Sequence, residues 1–274
     1  MKWVKRIAVA ALAVAVLGYG AVLAYFYLNQ RNIQYTREGA ITDLAATTLS
    51  GAEAVSIPSE GGAQLAGWYQ APSAGKPLIL YFRGNTGSFT REHERYERFV
   101  ADGYGFLAFD YRGFPGSPGD LTEEHLLADA LAAFDFAATK GVPIVLWGRS
   151  LGSGASTWVA KQREADALFL ETPYLSFVKI GTDKYPFLPI GLLLDDQYPQ
   201  EQWIADVTEP IYVAHGTADE TIAVYQGEAL YQLAPNKDEI WIEPGGTHTD
   251  LWERGEWERA RAFYERHTAA PGAS

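Results

Sequence analysis

The chain has 274 residues, of which 47% are hydrophobic and 14% aromatic, and it contains no cysteine. This apolar content excludes a disordered or collagen-like chain, and the lack of cysteine excludes a disulfide-stapled domain, a thiolate zinc site and a cysteine nucleophile. The formal net charge is −12, and the first 31 residues hold four of the 22 basic residues and none of the 34 acidic ones. The remainder therefore carries −16, which repels phosphate backbones, so we expect no nucleic-acid partner.

The first predicted element is an apolar helix long enough to cross a bilayer. Residues 7–28 form an uncharged run, which spans roughly 33 Å as a helix. A basic tail at 1–6 precedes the run, and the aromatic residues 25–27 end it, where rings favour the headgroup level. We therefore predict a transmembrane anchor at 7–28. A cleaved signal peptide, whose apolar region is usually about 7–15 residues, and a buried core helix are the alternatives.

Basic residues on the two sides of this run indicate its orientation. Three lie in residues 1–6, and two, Arg31 and Arg37, follow closely. The positive-inside rule then favours a cytoplasmic N-terminus. We predict a single-pass membrane protein with its body exported to the periplasmic or extracellular face, and the reverse orientation stays open.

Beyond the anchor, the chain is typical of one domain of alternating strands and helices. We predict a tether at 29–48, an α/β domain at 49–267 and a flexible tail at 268–274. A hairpin around Gly61 and Gly62 comes first, and the later alternation indicates a mostly parallel sheet flanked by helices. The predicted strands are 54–57, 65–69, 77–82, 105–109, 143–147, 167–170, 210–214 and 239–242, and the predicted helices are 91–101, 122–139, 151–162, 224–233 and 256–267.

A candidate nucleophile lies between one of these strands and the helix that follows it. Residues 148–152 read Gly-Arg-Ser-Leu-Gly, and this pattern places a serine on a sharp, strained turn while the two glycines let strand and helix approach closely. The helix N-terminus then stabilises negative charge near the hydroxyl. We predict Ser150 as the nucleophile.

A serine hydroxyl needs a base to take its proton and a carboxylate to orient that base. His248 follows the last predicted strand in a glycine-rich loop, which lets its ring reach over the sheet, so we predict it as the base, with His215 as the alternative. Asp219 follows the preceding strand and is the predicted acid. The chain order Ser150, Asp219, His248 fits one hydrolase architecture and neither chymotrypsin-like nor subtilisin-like enzymes.

Other carboxylates lie near enough in the chain to compete with Asp219. Glu220 adjoins it and would substitute if the loop register differed, and Glu171 ends the strand after the nucleophile strand. Asp250 is only two residues from His248, which is too near to orient its ring easily. Glu220 and Glu171 therefore stay open as alternative acids.

An oxyanion hole requires two backbone N–H donors. Leu151, the residue after the nucleophile, supplies the first. The second is expected from the loop at 83–88, after the strand at 77–82, and by position we choose Asn85. An ordinary glycine turn is the alternative for this loop.

The sequence contains five ordered motifs, at 81–85, 110–117, 148–152, 215–219 and 246–248. Together they resemble the landmarks of the α/β-hydrolase superfamily, most closely its N-terminally membrane-anchored, single-domain serine hydrolases of the peptidase-like branch. The resemblance covers roughly residues 50–267. One departure is Arg83, where the family usually has a histidine thought to help shape the oxyanion loop. Residues 174–203, apolar and interrupted by proline, resemble a short cap insertion.

The resemblance implies an α/β-hydrolase fold and a membrane-anchored serine hydrolase that cleaves an ester or thioester through an acyl-enzyme. No metal or organic cofactor is expected. The apolar cap favours a small-molecule or lipid-like acyl substrate, and a short peptide or acyl amide is the next choice. An acyltransferase or haloperoxidase-like reaction on the same triad and a non-catalytic binding module displayed at the membrane are the alternatives. The substrate's identity and the oligomeric state stay open.

Overall fold

The computed structural model describes residues 2–268. Met1 and residues 269–274 lie outside this range, so nearly all of the predicted tail at 268–274 falls outside the described residues.

A single eight-stranded sheet forms the centre of the fold, in the order β1-β2-β4-β3-β5-β6-β7-β8. Strands β3 to β8 pair in parallel, and the hairpin β1–β2 adds antiparallel strands beside β4. Every residue of β3, β4 and β6 is buried, as expected of strands covered on both faces. The strands are β1 Glu53–Pro58, β2 Gln64–Gln70, β3 Leu78–Phe82, β4 Gly105–Phe109, β5 Ile144–Arg149, β6 Ala167–Glu171, β7 Ile211–Gly216 and β8 Lys237–Glu243.

Helices cover both faces of this sheet. One apolar cluster joins the sheet to α3, α4 and α8, and a second, dominated by aromatic rings, joins the other face to α2 and α9. The predicted α/β fold class is therefore confirmed. The helices are α1 Lys2–Gln34, α2 His93–Ala101, α3 Glu123–Ala138, α4 Leu151–Gln162, α5 Phe177–Lys184, α6 Ile190–Leu193, α7 Gln200–Trp203, α8 Val224–Leu233 and α9 Glu256–His267, and short 3-10 turns occupy Leu44–Ala46, Glu60–Gly62, Phe89–Glu92, Ile204–Asp206 and Trp252–Arg254.

The region predicted as a cap, 174–203, lies between β6 and β7 and contains α5, α6 and α7. Its middle part carries apolar side chains that the rest of the domain does not cover. Phe187 is 62% exposed and Leu192 is 88% exposed. This segment, predicted as a cap, thus presents an apolar tip to its surroundings.

Helix α1 extends past the predicted end of the anchor at residue 28 and stops at Gln34. The first part of the predicted tether at 29–48 is therefore helical, because residues 29–34 include no glycine or proline that would break the helix. Among residues 2–268, α1 is the one helix long and apolar enough to cross a membrane, and none of its most apolar window is buried. That exposure argues against a core helix and leaves an anchor or a signal sequence.

The end of α1 packs against the segment predicted as a cap. The Gln30 side chain donates to Asp195 Oδ2 at 3.2 Å, and the Asp195 backbone N–H donates to Gln30 Oε1 at 2.7 Å. Tyr35, one residue beyond the helix, is only 3% exposed, and its hydroxyl lies 2.8 Å from that of Tyr198. The first residues of the predicted tether thus pack against the domain, because their polar groups form hydrogen bonds with it.

Candidate active site

Ser150 lies on the tight turn between β5 and α4, with φ of 50° and ψ of −117°. Few non-glycine residues adopt such a backbone conformation, which costs of order 1–3 kcal/mol. A Cβ on Gly148 would lie 1.9 Å from Ser156 Oγ, and one on Gly152 would lie 2.1 Å from the Phe82 carbonyl oxygen. Only glycine fits at these two positions, as the motif predicts.

The structure brings the three predicted triad side chains together. His248 Nε2 lies 2.9 Å from Ser150 Oγ, and His248 Nδ1 lies 2.7 Å from Asp219 Oδ2. The three residues come from loops after β5, β7 and β8, whose carboxyl ends meet at one edge of the sheet. The arrangement is the hydrogen-bonded chain that proton transfer from a serine to an oriented imidazole requires.

Asp219 is held as an anion by its surroundings. Its side chain is fully buried, and Oδ1 accepts the backbone N–H groups of Thr221 and Ile222, each at 2.8 Å. Burial alone raises the pKa of Asp219, but hydrogen bonds from His215 and His248 outweigh it and hold the pKa well below its ordinary range. The carboxylate therefore stays ionised and able to orient the imidazole.

His215, the alternative base, lies behind Asp219 and supports it. The ring is fully buried, with Nε2 at 2.9 Å from the Ile222 carbonyl oxygen and 3.2 Å from Asp219 Oδ2. Because a carbonyl only accepts, Nε2 carries the proton and is shared with the carboxylate. A Cβ on Gly227 would lie 2.3 Å from His215 Nδ1, so α8 also fixes the ring. The i, i+4 spacing of His215 and Asp219 at the strand end was the available sequence signal for this contact.

The competing carboxylates occupy other positions. Glu220 is exposed beside the cavity. Asp250 accepts the Thr247 backbone N–H at 2.7 Å and pairs with Arg254 at 2.8 Å, so it shapes the loop that presents His248. Glu171 binds arginines beneath the nucleophile turn instead of a histidine.

That arginine–glutamate network is a feature that sequence reasoning missed. Glu171 pairs with Arg95 and Arg149, each at 2.8 Å, and accepts the Trp147 indole N–H at 2.9 Å. Burial raises the pKa of Glu171, but the charges of Arg95 and Arg149 lower it by more, so that the pKa falls below its ordinary value and the ionised form is favoured. Glu256, also fully buried, has its pKa raised well above the ordinary value by burial and by the charge of Glu171. The pKa values of the two glutamates are thus shifted in opposite directions, although Arg95 Nη1 also lies 3.3 Å from Glu256 Oε2.

We expect these two glutamates to differ sharply on neutralisation. Glu171→Gln leaves two arginines short of a buried counter-charge, which costs about 3 kcal/mol or more, or a Tm lower by roughly 6–12 °C for a domain of this size. Glu256→Gln replaces a carboxyl group whose pKa is raised with a neutral amide of the same shape and should shift Tm by less than about 2 °C. Thermal unfolding of the detergent-solubilised full chain measures both. Equal shifts would contradict the opposite pKa shifts of the two glutamates.

Of the two predicted oxyanion donors, one adjoins the serine in the chain and the other lines the same cavity. Leu151 begins α4, so its N–H has no helical acceptor. Asn85 lines the same cavity as Ser150, and its side chain donates to the Gln34 carbonyl at the end of α1. The backbone N–H roles of Leu151 and Asn85 stay predictions.

Arg83, the departure from the family pattern, supports the loop that carries Asn85. Its side chain is 1% exposed, donates to the Gly87 carbonyl and lies 3.4 Å from Asp110 Oδ1. The guanidinium also lies over the Phe114 ring, 4.3 Å from its centroid. Arg83 therefore connects the start of the 83–88 loop to Gly87 near its end. It also holds the loop next to Asp110, the residue that follows β4.

A cavity of about 720 Å³ opens over the candidate triad, within the range of roughly 300–1,000 Å³ usual for small-molecule sites. Ser150 and His248 line it, together with residues of α1, α5 and α6 and of the loops at 84–86 and 220–222. In the part of the chain that the structure describes, no group of three or more His, Asp or Glu side chains is placed to hold a metal ion. The expectation of no cofactor stays a prediction.

Several known proteins are similar to this chain in sequence or in fold. Residues 74–187 match the family model described as serine aminopeptidase, S33. An uncharacterised protein of Mycobacterium tuberculosis (strain CDC 1551 / Oshkosh) is 31% identical over 245 residues, which is 87% of each chain. Lysophosphatidylserine lipase ABHD12 of Rattus norvegicus is 30% identical over 191 residues, covering 61% of this chain and 48% of the lipase. The solved structure of the Pyrococcus furiosus esterase Pf2001 aligns with a TM-score of 0.68 at 18% identity, covering 86% of this chain and 98% of the esterase.

These likenesses define the class of protein. The chain belongs to the α/β-hydrolase superfamily, as its motifs and fold predict. Its N-terminal apolar helix fits the membrane-anchored members of that superfamily.

Proposed function

We propose that this protein is a membrane-anchored serine hydrolase that cleaves an ester or thioester of an apolar acyl group. The observation that carries the proposal is the continuous chain from Ser150 Oγ through His248 to the buried Asp219, with Ser150 and His248 lining a cavity that also contains apolar side chains. In this proposal residues 7–28 are the anchor, 174–203 the cap and 49–267 the hydrolase domain. The basic residues before the anchor support an exported domain.

The proposed reaction begins with attack of Ser150 Oγ on the acyl carbonyl while His248 Nε2 accepts the hydroxyl proton. Asp219 holds the imidazole in the tautomer whose Nε2 is free to accept. The N–H groups of Leu151 and Asn85 stabilise the negative oxygen of the tetrahedral intermediate. The protonated His248 then donates to the leaving group, and a water molecule, activated by the same imidazole, releases the acid.

The relatives support an ester over an amide as the substrate. One is named a lysophosphatidylserine lipase and a structural neighbour is an esterase, whereas the matching family model is named for an aminopeptidase. The apolar side chains that α5 and α6 contribute to the cavity, among them Phe177, Ile180 and Leu193, suit an acyl chain better than a charged peptide terminus. Hydrolysis of a short peptide is therefore the second candidate function.

A substrate panel tests the proposal. The detergent-solubilised full chain should hydrolyse p-nitrophenyl esters and an acyl-coenzyme A thioester faster than an alanine p-nitroanilide, and Ser150→Ala should abolish each activity. Faster turnover of the anilide would favour the peptidase. Activity that survives in Ser150→Ala would contradict the proposed nucleophile, and transfer of the acyl group to an added alcohol in preference to water would indicate an acyltransferase.

A further inference from the structure

One wall of the cavity belongs to the membrane helix itself. Phe26, Gln30 and Ile33 of α1 line the cavity that contains Ser150, and their spacing of i, i+4 and i+7 places them on one helix face. The cap forms the opposite wall, where the Tyr185 ring meets Phe26 edge-on with centroids 5.1 Å apart. The cavity next to the serine thus has α1 on one side and the cap on the other.

The same face of α1 continues into the predicted transmembrane run. Tyr19, seven residues before Phe26, donates its hydroxyl to the Phe187 carbonyl in the cap at 2.8 Å. Tyr19 is nine residues before the end of the apolar run at Leu28, which is roughly 14 Å along a helix. If α1 spans a bilayer, the exposed cap tip with Phe187 and Leu192 lies at the depth of its hydrocarbon, where exposed apolar side chains are stable.

Polar contacts fix α1 in this position. Arg31 pairs with the buried Asp196 at 3.1 Å, and Gln34 donates to the Asp196 carbonyl at 2.9 Å. Tyr35 donates to the same carboxylate at 3.1 Å. These contacts join the C-terminal end of α1 and the adjacent Tyr35 to the loop after α6, and they hold the helix against the cap.

We propose that α1 and the cap together form an acyl-chain site that opens sideways into the bilayer. The substrate is then a membrane-resident ester with a long acyl chain, which enters where α1 and the cap meet by displacing the Phe26–Tyr185 ring contact, and reaches Ser150 without crossing water. The polar part of the substrate faces polar side chains that also line the cavity, among them Thr249, Glu220 and Arg91. This inference rests on the proposed function and adds the anchor to the substrate-binding residues.

The test uses tryptophan substitutions that reduce the volume of the cavity, one on α1 and one on the cap. Ile33→Trp on α1 and Ile180→Trp on α5 add bulk inside the cavity. Leu28→Trp adds the same bulk on α1, but Leu28 is 77% exposed and does not line this cavity. Each full-length variant is placed in lipid nanodiscs, and kcat/KM is measured for p-nitrophenyl acetate, octanoate and palmitate. Fluorophosphonate labelling of Ser150 reports whether each variant is folded.

We expect both cavity variants to lower the ratio of kcat/KM for palmitate to that for acetate, by about fourfold for each methylene that loses burial. Leu28→Trp should leave this ratio at the wild-type value. An unchanged ratio in folded Ile33→Trp and Ile180→Trp, or an equal change in Leu28→Trp, would overturn the acyl site while leaving the hydrolase intact. A wild-type protein that hydrolyses none of the three esters would instead overturn the proposed function, and the acyl site with it.

Discussion

His248→Ala should lower kcat/KM for an activated ester by about 10⁵- to 10⁶-fold, because members of a triad act as a unit. Without the imidazole, Ser150 Oγ has no acceptor within reach and remains a neutral hydroxyl, which is a weak nucleophile. His215 cannot replace the missing base, since its buried ring lies behind Asp219 and bonds the Ile222 carbonyl. Hydrolysis assays on the purified full chain, run for long enough to detect slow turnover, measure the loss in kcat/KM.

His125→Ala is the matched control for this variant. His125 lies on α3, with its Nδ1 2.9 Å from the Asp120 carbonyl oxygen, and it does not line the cavity over the serine. We expect it to keep wild-type kcat/KM. A His248→Ala variant that retained a tenth of the wild-type activity would remove His248 from the role of base.

Asp219→Asn should lower kcat by about 10⁴-fold with little change in fold. An asparagine amide donates where the carboxylate accepts, so it favours the imidazole tautomer with the proton on Nε2. That nitrogen then faces Ser150 Oγ as a donor and cannot take its proton. The variant also lacks the carboxylate oxygen that accepts from His215 Nε2. The Ile222 carbonyl is then the remaining acceptor for the His215 ring.

Glu220→Gln distinguishes the two neighbouring acids. Glu220 is exposed at the cavity rim, so its neutralisation should change kcat by no more than a few-fold, since exposed charges interact weakly. A larger loss in Glu220→Gln than in Asp219→Asn would exchange their roles. The comparison uses steady-state hydrolysis of a single p-nitrophenyl ester by both variants.

The sheet and the chain order of the candidate site could be predicted because both depend on local patterns. Buried parallel strands such as β4 are short continuous apolar runs, and the predicted bounds 105–109 are those of the structure. The edge strand β8 was predicted at 239–242 but begins at Lys237, because charged residues on an edge strand face solvent and break the apolar run. Glycine spacing likewise predicted the turn at Ser150.

The contacts that join distant segments could not be predicted in the same way. Glu171 and Arg95 are far apart in sequence and meet only through the packing of α2 on the sheet. The docking of Gln30 on Asp195 depends on where the cap folds, which no local pattern indicates. Polar residues after an apolar helix are typical of a tether, and only the tertiary structure gives them buried partners.

Reaction with a fluorophosphonate probe tests the central claim, that Ser150 is a nucleophile activated by its neighbours. The wild-type full chain should be labelled at one site, mapped by mass spectrometry to the peptide containing Ser150, and Ser150→Ala should show no label. His248→Ala, with Ser150 intact, should react far more slowly than wild type. Equal labelling of wild type and Ser150→Ala, or no labelling of a folded wild-type protein, would contradict the account.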